Sequence, residues 1–286
     1  MLCEGANIEL TDSNVAGLLR LLDGADEHLL EGLLDQLAAM PGTERERIEQ
    51  RATGAGTDVR VALRRARIRA GYLREQRRWE LAVARPRPRL EDALVVLGDA
   101  AGMQGVSDVS ARLDALAAEV GERLSGDRAF DTGLAAIVEV LHVKHKLRGS
   151  EANYHHPSNS YLQCVLDTGL GIPISLCVVA LLVGQRLGLP VHGMSTPGHF
   201  LGFYGDADLG IGTWFDPFRG FARISQSQAT ALVAQFDEGF QLTPAKPADE
   251  RQILERWLNN LMSAWSEQAE REHLRNLALY SAILLR

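Results

Sequence analysis

Gly171-Ile172-Pro173-Ile174-Ser175-Leu176-Cys177 opens the stretch that decides the fold. Proline suits the first turn of a helix, Gly188 and Pro190 supply a stop, and residues 174–183 carry no charge. The pattern predicts a core helix with protein on nearly every side. Pro197-Gly198-His199-Phe200 then opens a strand on which His199, Leu201 and Phe203 share one face, and Trp214-Phe215-Asp216-Pro217 closes the next. Symmetric pairing about Gly205-Asp206-Ala207-Asp208-Leu209-Gly210 would set His199 opposite Asp216 and Leu201 opposite Trp214. Helix start, histidine and aspartate follow the order of a cysteine-hydrolase triad, and an enzyme would place a thiolate or oxyanion at the positive end of that helix.

Composition bounds the rest. The 286 residues are 46% hydrophobic, enough to bury a substantial core in one large or two small domains. A net charge of −7 argues against wholesale nucleic-acid binding. No apolar run reaches the roughly 18 residues of a membrane span. Met1-Leu2-Cys3-Glu4-Gly5 lacks the basic and apolar regions of a signal peptide, so a cytoplasmic location is expected. Cys3, Cys164 and Cys177 have no CxxC spacing and encode neither a disulfide framework nor a zinc ribbon.

Upstream, the chain reads as short paired helices. Leu18, Leu19, Leu21 and Leu22, then Leu29, Leu30, Leu33, Leu34 and Leu37, recur at helical spacing around the turn Asp23-Gly24-Ala25-Asp26. Thr43 with Glu46 predicts a capping box for the next helix, and Gly54-Ala55-Gly56-Thr57-Asp58 turns into another. From Arg60 to Arg89 eleven arginines face only Glu75 and Glu80 as acids. With little aromatic interleaving beyond Tyr72 and Trp79, this reads as the solvated side of helices facing an acidic second domain rather than a nucleic-acid surface. Arg85-Pro86-Arg87-Pro88-Arg89 cannot be helical throughout, which puts a boundary there: 1–88 helical, 89–286 the second domain.

Leu113, Leu116, Val120 and Leu124 mark one amphipathic helix, and Leu134, Ile137, Val138 and Leu141 another. His142 and His145 sit at i,i+3 on the latter, but Lys144 and Lys146 flank them and no nearby carboxylate completes a metal site. Adjacent His155 and His156 project divergently, so a metal hydrolase using them with His199 is the third-ranked reading. No metal and no cofactor are expected.

Four spaced segments carry a family resemblance. They are Asn153-Tyr154-His155-His156-Pro157-Ser158-Asn159-Ser160-Tyr161-Leu162, then Gly171 to Leu176, then Gly193 with Pro197 to Phe200, and Asp216-Pro217-Phe218. In that order they resemble the SirB family, a branch of the transglutaminase-like superfamily, over about residue 90 to the C-terminus. Ile253-Leu254-Glu255-Arg256 and Asn259-Asn260-Leu261 are similar to its C-terminal helix. Residues 12–84 resemble HEAT-type repeats, with Asp58-Val59-Arg60 and Ala62 matching the start of a second repeat helix.

The resemblance implies an α+β, papain-like domain, with a core helix packed on an antiparallel sheet and C-terminal helices, preceded by a helical-repeat module. In active superfamily members a cysteine stands two residues after the helix-starting glycine, where this chain has Pro173. Cys177 lies about 6 Å deeper along the axis, and Ser175 is turned about 200° from Pro173. The expected role is therefore binding of a protein or peptide segment in a degenerate cleft lined by Tyr154, His156, Pro173, Trp214 and Arg219, with the helical module recruiting a partner. The alternative is an amide hydrolase or acyl transferase with His199 as base, Asp216 as its orienter and Ser175 or Cys177 as nucleophile. His156 stands where the family more often has an acid. Oligomeric state stays open.

Overall fold

A computed structural model describes residues 11–124, 130–240, 242 and 246–286. Cys3 and the Met1–Gly5 terminus lie outside them. Backbone contacts divide the chain into Met1–Glu75 and Gln76–Arg286.

The first unit holds α1 (Asp12–Asp23), α2 (Glu27–Ala39), α3 (Gly42–Arg51) and the beginning of α4 (Thr57–Val83). Thr11 caps α1 and Asp26 caps α2, each side chain accepting from an amide of the first turn. The capping box expected at Thr43 and Glu46 does not form. Pro41 is the N-cap and offers no side-chain acceptor; its carbonyl instead receives the Glu44 and Arg45 amides. Val15, Leu22, Leu34, Leu37, Ile48, Val59 and Ala66 form the unit's core. At 27 residues α4 is far longer than the short helices expected.

The second unit begins within α4, where buried Trp79 stacks on Tyr280 and donates its indole N–H to the Tyr280 carbonyl. After Arg85–Arg89 come α5 (Leu90–Ala101), α6 (Val109–Arg123) and α7 (Phe130–Val138), the last running on as a π-helical turn over Glu139–Lys144. The expected stripes are real: Leu113, Leu116, Val120, Leu134, Ile137 and Leu141 are all fully buried. A short parallel pair, β1 (Arg148–Gly149) and β2 (Leu170–Gly171), flanks α8 (Leu162–Thr168) and leads into α9 (Pro173–Leu187). This is the expected core helix: residues 173–184 are buried without exception, and Gly188 ends it in the left-handed conformation at φ 63°.

Four antiparallel strands follow in sequential order, β3 (Val191–Thr196), β4 (His199–Asp206), β5 (Ile211–Asp216) and β6 (Ala222–Ile224). α9 packs on β3 and β4. The chain closes with α10 (Gln226–Ala234), α11 (Glu250–Glu267) and α12 (Arg271–Leu284). The architecture is α+β: helices first, then a sheet and C-terminal helices. Among the described residues no helix is long and apolar enough to cross a membrane.

The β4–β5 register differs from the expectation. Phe203, not Leu201, pairs with Trp214, because β4 runs on to Asp206 and the turn is the four residues Ala207–Gly210. Gly205 and Gly212 make this possible. Gly205 sits at φ 144°, and a side chain there would strike the Gly212 backbone across the ladder. The slip is two residues, so His199, Leu201, Trp214 and Asp216 keep one face while His199 and Asp216 become diagonal rather than direct neighbours.

Candidate functional site

The β3–β4 hairpin is a two-residue turn, with Thr196 paired to His199, Pro197 at its first position and Gly198 at φ 66° at its second. The Thr196 hydroxyl donates to the His199 carbonyl at 2.8 Å and tightens it. From here the His199 side chain reaches Asp216 at the end of β5, with Nε2 3.1 Å from Oδ1. The same Oδ1 accepts the Phe218 amide at 3.0 Å. Burial of Asp216 would by itself raise its carboxyl, but the hydrogen bond and charge of His199, with the Phe218 and Arg219 amides, outweigh burial and hold it below the ordinary aspartate value. His199 keeps 17% of its side chain exposed against 2% for Asp216, so the imidazole is the open member of the pair.

The loop after Asp216 is held from two sides. Gly149 N–H donates to the Phe218 carbonyl at 3.0 Å while the Phe218 ring covers Gly149. Gly220, at φ 64°, has no room for a Cβ, which would come 2.6 Å from His142 Nε2. The His142 ring is thereby a packing surface, its Nδ1 2.9 Å from the Leu147 carbonyl.

The two candidate nucleophiles are differently placed. Ser175, in the first turn of α9, is fully buried. Its Oγ accepts the Ile172 amide at 3.0 Å and lies 2.7 Å from the Asn159 carbonyl and 3.0 Å from that of Ile172. Its single proton is committed to a backbone acceptor. Cys177 is fully buried, its Sγ 3.6 Å from the Leu201 carbonyl. Burial first, and the Asp216 charge second, push its thiol well above the ordinary cysteine value. Pro173 is buried at the helix start and presents no nucleophilic atom.

The other expected cleft residues have differing surroundings. Tyr154 is partly exposed, its ring 5.7 Å from that of Phe218. Arg219 is exposed, with Nε 3.8 Å from Asp216 Oδ2. His156 is a turn cap, receiving the Ser158 amide on Nδ1. Trp214 does not line an opening: it is buried with Met194, Leu201, Phe203 and Val233, its ring edge-to-face on Phe203. The carboxylate expected to be missing near His145 arrives from α6, where Glu119 Oε2 lies 2.7 Å from His145 Nε2 and 3.0 Å from Lys144 Nζ. His155 instead faces Glu267 at 3.0 Å. Among the described residues no group of three or more His, Cys, Asp or Glu is placed to hold a metal ion.

Sequence reasoning missed two neighbours of the hairpin. Phe236, 62% exposed, lays its ring against Gly198. Arg256 of α11 donates through NH1 to the Thr196 carbonyl at 2.6 Å and approaches Ser195 Oγ at 3.4 Å. Periodicity marks Ile253, Trp257 and Leu261 of that helix, but nothing in spacing says where an arginine between them will point. A separate groove of about 740 Å³, lined by Arg78, Leu81, Arg85, Arg89, Asp92 and Val95 among others, contains neither His199 nor Asp216. Two of its arginines are neutralised locally, Arg78 by Asp99 and Arg89 by Asp92.

A core helix on an antiparallel sheet, with histidine and aspartate bonded across two strands, defines a papain-like α+β site. Residues 107–259, more than half of the chain, match the family model described as Transglutaminase-like superfamily, and the chain belongs to that superfamily. It is 36% identical over 139 residues to a UPF0162 protein of Xylella fastidiosa (strain 9a5c), a match covering 46% of this chain and 49% of that one. A UPF0162 protein of Vibrio cholerae is 28% identical over 134 residues, 45% and 48% of the two chains. F-box only protein 21 of Mus musculus is 38% identical over 68 residues, 24% of this chain and 11% of that one. The chain thus matches about half the length of its bacterial relatives. No solved structure matches it significantly.

Proposed function

We propose that this is a SirB-type transglutaminase-like protein whose site beside His199 and Asp216 binds a protein or peptide segment without cleaving it, while a HEAT-like module in residues 1–88 recruits a partner. One observation carries the reading. An acyl transfer needs a nucleophile within about 3 Å of its base, and each candidate here is engaged or disarmed. The Ser175 proton belongs to backbone carbonyls, and Cys177 is a buried thiol held protonated at neutral pH. The His–Asp bond then serves to fix the hairpin and the loop after Asp216, and to leave a partly exposed imidazole as a polar contact for a bound segment.

The intact His199–Asp216 pair also supports a second reading, amide hydrolysis or acyl transfer with His199 as base and Cys177 as a displaced nucleophile. Alkylation separates the two. In the native protein at neutral pH, Cys177 should resist iodoacetamide and react only after unfolding. Rapid stoichiometric labelling of native Cys177, abolished by His199→Ala, would replace the binding reading with the enzyme reading.

A further inference from the structure

Arg256 has the environment of a cation awaiting a counter-ion. It is partly buried on α11, and among the described residues its partners are neutral: the Thr196 carbonyl and the Ser195 hydroxyl, both on NH1. No carboxylate pairs with it there. A guanidinium offers five N–H donors in a planar fork suited to a carboxylate, and NH2 and Nε carry no bond to any described residue. Burying a cation beside neutral groups alone is costly. Burial accordingly pulls the Arg256 pKa below the ordinary arginine value, and the Tyr154 hydroxyl offsets this only in part.

Its position ties it to the site. The carbonyl that anchors NH1 belongs to Thr196, which pairs with His199 and bonds to its carbonyl. One two-residue hairpin therefore carries both the imidazole and the anchor of the guanidinium. Tyr154 and Phe218 add an aromatic contact nearby, Phe236 covers the turn with an exposed ring, and Arg219 contributes a second, exposed cation over Asp216. Partly exposed aromatic rings near the hairpin and near Arg219 fit a chain segment that carries one negative charge among hydrophobic side chains.

We infer that Arg256 is the anion-binding residue of the His199 site and takes a carboxylate of the bound peptide segment. This rests on the peptide-binding reading above and names the chemistry of what is bound. The carboxylate can come from a Glu or Asp side chain or from a free C-terminus, and the test separates these sources.

The experiment uses the full chain and a random-sequence peptide array to find binders, then resynthesises them in two kinds of matched pair: Glu against Gln, and free acid against C-terminal amide. Affinities are measured by fluorescence anisotropy at low and high salt. The wild type should prefer one acid member by about ten-fold, the size expected for a hydrogen bond to a charged group. The pair showing the preference identifies the source. Arg256→Gln, which removes the guanidinium and is two bonds shorter than the arm that reaches the Thr196 carbonyl, should bring the ratio close to one, the neutral peptide serving as the reference for any general loss of binding. Arg256→Lys, which keeps the charge, should retain part of the preference. Should the glutamine variant melt early, the lysine variant and the salt dependence of the wild-type ratio carry the decision. A ratio that survives in Arg256→Gln, or wild-type binding without acid preference, overturns the inference and leaves the peptide-binding reading standing. A wild type that binds no peptide overturns both.

Discussion

Arg69 and Arg256 both sink a guanidinium into the protein, and they are treated in opposite ways. Arg69, on α4, is fully buried and bonded to two carboxylates of α2, at 2.9 Å to Glu31 and 2.6 Å to Asp35. Arg256, on α11, has among the described residues only a carbonyl and a hydroxyl. In the first unit the charge is balanced within the fold, and Glu31 is held below the ordinary glutamate value because its bonds to Arg69 and Arg65 outweigh the burial that would raise it. In the second unit the charge is left for something else. A buried cation that is internally paired does structural work, whereas a partly buried one with neutral acceptors on the hairpin that carries His199 is suited to accommodate an anion.

The sharpest way to break the comparison is to remove the two carboxylates that pair with the first arginine. Glu31→Ala with Asp35→Ala should cost about 3 kcal/mol, the low end for depriving a buried charge of its counter-ions, because Arg69 is fully buried while both carboxylates are partly exposed. Hydrogen exchange at the α2 and α4 amides reads the loss where it occurs, and unchanged protection would mean that Arg69 needs no internal carboxylates.

Next in size is the polar pair of the sheet. Asp216→Asn should cost about 2 kcal/mol near neutral pH, typical of a hydrogen bond to a charged group. The sign of its pH dependence follows from the lowered carboxyl. The folded value lies below the ~3.9 of an unfolded aspartate, so the carboxylate's contribution is fully present above that value and is lost as pH falls through the folded one. Urea midpoints of wild type and variant should therefore converge in acid. A constant gap down to pH values below the folded carboxyl would show that the charge of Asp216 contributes nothing.

Smaller again is Gly198→Ala, which forces a side chain into a left-handed turn position at φ 66° and should cost about 1–2 kcal/mol in a thermal melt. The exposed Phe236 ring can swing away, so backbone strain accounts for most of this. No loss of stability would mean the turn relaxes, and the shared anchoring of His199 and Arg256 would be less rigid than drawn.

The smallest effect sharpens the contrast most. Arg256→Gln should change stability by about 1 kcal/mol or less, because what is lost is a hydrogen bond to a neutral carbonyl and, among the described residues, no ion pair is broken. A loss as large as that from removing Glu31 and Asp35 would make Arg256 a structural residue like Arg69.

The uncharged run from Ile174 to Val183 declared a core helix before any coordinates were needed, because no surface helix can be apolar all round. The alternation in His199, Leu201 and Phe203 declared a strand for the same reason of period. What alternation cannot supply is register. Symmetry about the turn put Leu201 opposite Trp214, whereas close approach at Gly205 and Gly212 set the pairing two residues away. The hydroxyl of Ser175 was legible only as a choice between nucleophile and cap. Which one it is depends on the Asn159 carbonyl, which comes from a 3₁₀ turn distant in sequence. Arg256 and Glu119 were invisible for the same reason: a side chain's partner across helices is a tertiary fact, and nothing in the local pattern encodes it.

The π-helical turn at Glu139–Lys144 has a consequence for the evolution of chain length. A π-turn accommodates one residue more than an α-helix of the same rise, so Glu139–Lys144 holds a residue that regular helical bonding would leave out. Here the widened turn sets the His142 ring against Gly220, the last support of the loop that begins at Asp216. Deleting a single residue from this turn would restore regular α-helical bonding and rotate His142 by about 100° away from the loop. Descendants that trimmed this helix would thus disturb a carboxylate on a strand far downstream, while those that lengthened a surface loop would leave it alone. A one-residue deletion at this turn should therefore be tolerated less well than one in an exposed surface loop.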